Sequence, residues 1–69
     1  MERKPVISSN LRSVGYADGT LEVEFKSGAV FQYKNVPEHV YADMMNAASI
    51  GSFFSKNVKD SFVSSKVTV

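Results

Sequence analysis

Chemistry in this chain has to come from a short set of side chains. Arg12, Lys34, Lys56 and Lys59 could neutralise phosphates, and Tyr16 and Tyr33 could stack on unpaired bases. Ser49-Ile50-Gly51-Ser52 opens a helical pattern, where free backbone N–H groups suit an anion, so Ser49, Gly51 and Ser52 are candidates for holding one. His39, the single histidine, stands four residues before Asp43. General-base catalysis also needs a nucleophile and an orienting partner placed around it, and Asp43, the one the spacing offers, is as easily a surface contact. With no cysteine and only scattered carboxylates, no metal-ligand set forms. The reading is of a chain without catalytic residues, metal or cofactor.

Each candidate also has a structural use. Phe31 and Tyr33, at i and i+2, share one face of a strand. That face is either a stacking platform or the underside of a helical roof, and the apolar stripe downstream favours the roof. Glu22, Glu24, Lys26, Gln32 and Lys34 share the other face, where mixed signs fit cross-strand pairing on a wet surface better than a phosphate track. A small residue such as Gly51 more often permits close packing than anion binding. Met44-Met45, inside an amphipathic helix, suits core filling.

The elements that position these residues follow from periodicity. Leu11 to Ala17 reads as a strand with Val14 and Tyr16 on one face and Arg12 beside them nearer the start. Leu11 breaks that alternation, so a bulge or change of face near Ser13 is expected. Gly15 marks close approach by another segment. Asp18-Gly19 is a hairpin turn needing positive φ. Leu21, Val23 and Phe25 then alternate with Glu22, Glu24 and Lys26, and Ser27-Gly28 makes a second turn into Ala29, Phe31 and Tyr33. At Asn35-Val36-Pro37 the period changes. Pro37 suits the first helical position and Glu38 complements the dipole. Val40, Met44 and Ala47, flanked by Tyr41, Met45 and Ala48, form a broad apolar stripe. Ser49 closes this helix and caps a second, Ile50 to Asp60, that turns Ile50, Phe53, Phe54 and Val58 inward and leaves Lys56 and Lys59 in solvent. The fold class is α+β: a three-stranded antiparallel meander, with two C-terminal helices packed on one face. Val6-Ile7 offers a fourth, edge strand or two apolar residues laid across the core. One domain spans 6–62, with 1–5 and 64–69 as flexible termini, the latter either loose or adding a strand.

Sixty-nine residues with 43% hydrophobic content and net charge +1 describe a single small domain with a thin core. Nothing approaches the roughly 18 apolar residues of a membrane span. A soluble cytoplasmic protein, monomeric or weakly homodimeric, is expected. The near-neutral whole-chain charge argues neither for nor against nucleic acid, which usually leaves a clearer positive footprint.

Ser9, Val14-Gly15-Tyr16, Leu21-x-Val23-x-Phe25, Gly28-x-x-Phe31-x-Tyr33, Val36-Pro37, Val40-Tyr41 and Ala48-Ser49-x-Gly51-x-Phe53-Phe54 together resemble the KTSC domain family. That family is named for the C-terminal region of some lysyl-tRNA synthetases and also occurs as small free-standing proteins in bacteria and phages. The likeness runs from about Val6 to Phe62. Its aromatic-x-aromatic motif, usually Tyr-x-Tyr, here reads Phe31-Gln32-Tyr33. The resemblance implies a binding module and no reaction, with RNA as the suggested ligand.

Two functions therefore compete. The first is a nucleic-acid module, for RNA, using Lys56, Lys59, Lys34 and Arg12 with Tyr16 or Tyr33. The second is a protein–protein interaction module or phage-encoded modulator of a host protein. It would offer the Leu11–Ala17 sheet edge, or Val63, Val67 and Val69 of the tail, to a partner or a second copy.

Overall fold

The computed structural model describes residues 1–68. The alternating segments form β2 (Leu11–Ala17), β3 (Thr20–Phe25) and β4 (Val30–Tyr33), followed by α1 (Glu38–Met45) and α2 (Ile50–Asn57). Two short strands, β1 (Lys4–Pro5) and β5 (Ser64–Lys66), complete a five-stranded antiparallel sheet in the order β1-β2-β3-β4-β5. The α+β meander under two helices is as its periodicity predicts. The sheet is wider than three strands because both chain ends contribute one, the tail by the strand alternative left open for it and the N-terminal arm at Lys4–Pro5 rather than Val6-Ile7.

Turn chemistry sets the register. Asp18 and Gly19 both adopt positive φ, 51° and 81°, the pair of conformations that a tight hairpin turn demands. Gly28, at φ 100°, serves the second turn. Leu21 then pairs with Tyr16 on one side and Tyr33 on the other, and Val23 pairs with Val14 and Phe31. The pairing slips between Leu11 and Ser13. This bulge returns Leu11 to the inner face, fully buried, and turns Arg12 out to solvent. One face of the sheet thus carries Leu11, Val14, Leu21, Val23 and Tyr33, which form the core with Val36, Met44, Phe54 and Val58.

The helices roof that face. Pro37 takes the cap of α1, one position earlier than expected; its ψ of 147° is extended, and its carbonyl accepts from the Val40 and Tyr41 N–H groups. Met44 is fully buried. Ser49 caps α2, accepting from the Ser52 N–H. α2 ends at Asn57, short of Asp60. Both Val58 and Lys59 donate to the Phe54 carbonyl, and Val58 turns wholly into the core, which ends the helical repeat.

Both borders of the three-stranded meander gain a short strand from the chain itself. β1 pairs Lys4 with Val14 and Pro5 with Ser13, and the Val6 N–H donates to Arg12. The first half of the Leu11–Ala17 edge, offered above to a partner, is therefore occupied. Of the Val6-Ile7 pair, Val6 packs on the core and Ile7 is exposed. On the other side β5 pairs with β4. The Lys34 N–H donates to Val63 and the Val67 N–H to Val30, so the tail adds its strand to its own sheet. These bonds satisfy a β4 edge that would otherwise present a row of unpaired backbone groups. Val69 lies outside the described residues.

Gly15 is where the N-terminal arm crosses the sheet. A Cβ there would lie 2.5 Å from the Glu2 carbonyl oxygen, and backbone cannot yield as a side chain can. Gly15→Ala is expected to lower stability by about 1–3 kcal/mol, read as a fall in the urea midpoint. Unchanged stability would mean that the arm does not lie over Gly15 in solution.

Candidate functional site

The sheet has two ends, and the candidate residues divide between them. At the Gly19 end lie the β2–β3 hairpin, the end of β4 and the start of α1, tied by the Val36 N–H to the Gly19 carbonyl. At the other lie Asn10, the start of β2 and the Gly28 turn, tied by the Lys26 N–H to the Asn10 carbonyl. Register puts Arg12 at the Asn10/Gly28 end and Lys34 at the Gly19 end. Arg12 donates to the Lys26 carbonyl at 3.1 Å, which brings Lys26, absent from the candidate set, beside it. Lys34 reaches back to Gln32 at 3.3 Å. Lys56 is exposed in the last turn of α2, and exposed Lys59 follows it.

Lys59 lines a pocket of about 180 Å³ together with Asn10, Leu11, Phe25, Tyr33, Gly51, Phe54 and Ser55. The pocket therefore sits between α2 and the Asn10/Gly28 end of the sheet. Its walls are apolar because Phe54 stands edge-on to both Phe25 and Tyr33, with ring centroids 5.7 and 5.4 Å apart. Tyr33 is only 4% exposed, so its ring lies under the roof and is no open stacking platform. Phe31 packs edge-on to Phe25 and is half-buried. Burial pushes the Tyr33 phenol up from its ordinary range, and the Asp60 carboxylate adds to this.

Tyr16 belongs elsewhere. Its hydroxyl donates to the Val36 carbonyl at 2.6 Å, and its ring stacks on Tyr41 with centroids 4.9 Å apart. It ties β2 to α1, beside a second groove lined by Met1, Glu2, Lys4 and Tyr41. Ser49, Gly51 and Ser52 do come together at the start of α2. There the Ser52 N–H donates to the Ser49 hydroxyl, and a Cβ on Gly51 would lie 2.8 Å from the Ser8 hydroxyl. Gly51 thus makes room for the Ser8 turn, whose hydroxyl accepts from Asn10 and Leu11. His39 and Asp43 are both exposed on α1.

The outer sheet face is a closed polar network. The Arg3 guanidinium lies across the sheet, donating to Glu22 and to the Ser13 hydroxyl. Ser13 donates in turn to Glu24, and Gln32 to Glu22. Burial alone would raise the Glu22 carboxyl; the bonds from Gln32 and Arg3, and the charge of Arg3, outweigh it and hold it below the usual carboxylate range. These carboxylates consume one cation and leave no phosphate track on this face. No spacing rule marks Arg3 as the partner of Glu22, 19 residues away; a charge count places it with Lys56 and Lys59 in a basic patch, whereas the structure uses it on the outer sheet face.

Comparison with known proteins agrees with this architecture. The KTSC domain model matches residues 7–62. A KTSC domain protein from Yersinia pestis, solved by crystallography, superposes with a TM-score of 0.91 at 37% identity, covering 97% of each chain. An uncharacterized protein of Stutzerimonas stutzeri is 43% identical over 61 residues, 86% of each chain. A lysine–tRNA ligase of Nostoc punctiforme is 46% identical over 43 residues, which are 62% of this chain and only 8% of the ligase.

The Glu22 pair has a pH signature. Because its folded-state pKa is lowered, its stabilisation is present above the ordinary glutamate range and is lost as pH falls through the folded value. Glu22→Gln is expected to cost about 1–2 kcal/mol near neutral pH. It should also flatten the fall in stability below about pH 4.5, measured by urea unfolding across a pH series.

Proposed function

The chain belongs to the KTSC domain family, and on that premise we propose that it is a non-catalytic module for binding single-stranded RNA. The observation carrying this reading is the sorting of charge along the sheet. Arg12 and Lys26 gather at the Asn10/Gly28 end, next to a pocket whose mouth carries Lys59. Lys66 lies toward the same end, opposite Phe31 on β5. Of the acids, Asp18 and Glu38 lie at the Gly19 end and Glu22 and Glu24 are held by the Arg3 network, while Asp60, beside Lys59 and near Tyr33, offsets part of the patch. A net charge of +1 thus conceals a local basic patch, which is what steers a polyanion.

The likeness to a short segment of lysine–tRNA ligases supports RNA over DNA as the first ligand to test. A patch this small engages few phosphates, so binding is weak and brief. Among the described residues no three metal-ligating side chains cluster, and no helix is long and apolar enough to cross a membrane.

In fluorescence anisotropy at about 50 mM salt, a labelled single-stranded RNA should bind. Its affinity should fall with salt by a log–log slope of roughly 0.7 for each phosphate neutralised. Arg12→Gln with Lys59→Gln should lower that slope by about 1.4, whereas Lys34→Gln, at the far end, should leave it unchanged. No binding at the lowest salt would overturn the reading and favour a protein partner.

A further inference from the structure

We infer that the N-terminal arm sets the position of Arg12, with Arg3 and Glu22 as positioning residues that act on the bound strand through it. This rests on the RNA reading above and names how one cation of that site is held. Where β2 pairs with β3, Leu11 stands opposite Phe25 and Ser13 opposite Glu24. Arg12 is the residue skipped between them, so β3 does not fix it. A bulge of this kind re-aims a side chain, and here it leaves Arg12 exposed.

What fixes the bulge comes from residues 3–6. The Val6 N–H donates to the Arg12 carbonyl at 3.1 Å, and Pro5 pairs with Ser13. The Arg3 Nε donates to the Ser13 hydroxyl at 2.9 Å, and that hydroxyl donates onward to Glu24, also at 2.9 Å. Another nitrogen of the same guanidinium binds Glu22, which accepts from Gln32 as well. Among the described residues the buried polar side chains are Ser13 and Glu22, 9% and 5% exposed. Arg3 bonds to both. A carboxylate at that depth is costly without its cation, so Glu22 holds the arm down, and the arm holds the Arg12 backbone.

From its other side Arg12 is tied by its guanidinium to the Lys26 carbonyl. The two cations stand together because the arm fixes the backbone of one while the Gly28 turn receives its side chain. Freeing the arm lets the bulge shift and takes Arg12 away from Lys26. Charge alone predicts the reverse. Removing the Glu22 carboxylate raises the net charge by one, which favours a polyanion, whereas loss of the clamp weakens binding. The two accounts differ in sign.

The test is fluorescence anisotropy of the full chain with a labelled single-stranded RNA hexamer, at a temperature where circular dichroism shows every variant folded. Glu22→Gln is expected to weaken binding about two- to tenfold and to lower the log–log salt slope by about 0.7, the share of one phosphate. Arg3→Lys keeps the charge but not the planar fork that reaches Ser13 and Glu22 together, and a loss of similar size is expected. In an Arg12→Gln background Glu22→Gln should add no further loss, since both changes then act on the same contact. Binding by Glu22→Gln and Arg3→Lys as tight as that of the unmodified chain, or tighter, would overturn the positioning role and leave the RNA reading standing. So would an undiminished loss in the Arg12→Gln background. Failure of the unmodified chain to bind the hexamer would overturn the two together.

Discussion

The edge-to-face contacts of Phe54 with Phe25 and Tyr33 determine where α2 lies, and most of the molecule follows from that position. Aromatic pairs in this geometry contribute about 0.5–1.5 kcal/mol each beyond the area they bury, a large share for a domain of 69 residues. With Phe54 set into the sheet, Val58 can turn fully inward and the chain leaves the helix toward β5. Lys59 and Ser55 are then carried to the rim of the space beneath. The same contact that builds the interior therefore builds the pocket wall.

Charge is organised on a different principle from packing. Arg3 reaches across the outer face and binds a buried glutamate, an arrangement that removes acid from the electrostatics of the surface. The remaining cations are unequally spread because strand register decides which end each one reaches. Arg12, near the start of β2, and Lys34, just past the end of β4, are both basic, yet the meander sends them to opposite ends. Net charge is blind to this, which is why composition and structure speak differently about a polyanionic ligand.

What was legible from residues alone was whatever repeats locally. The Leu21/Val23/Phe25 alternation, the Asp18-Gly19 turn, the Leu11 irregularity and the burial of Tyr33 all follow from period and turn chemistry. β1 was not, and β5 was only one of two alternatives, since two and three residues are too few to show a period, and their exposed side chains mark no buried face. They are strands because neighbouring backbone needs partners. The pocket was invisible for a related reason: Asn10, Tyr33 and Ser55 meet only through tertiary contact. Tyr16 had the right type but a structural task, bonded to Val36 and stacked on Tyr41, and no spacing rule distinguishes the two uses.

Strand order in the sheet equals order along the chain, so β1 and β5 occupy opposite borders. Four interstrand steps of about 4.8 Å separate them, roughly 19 Å in all. Each border strand is only two or three residues long, so neither side of the sheet presents a long row of open backbone groups to a neighbouring chain.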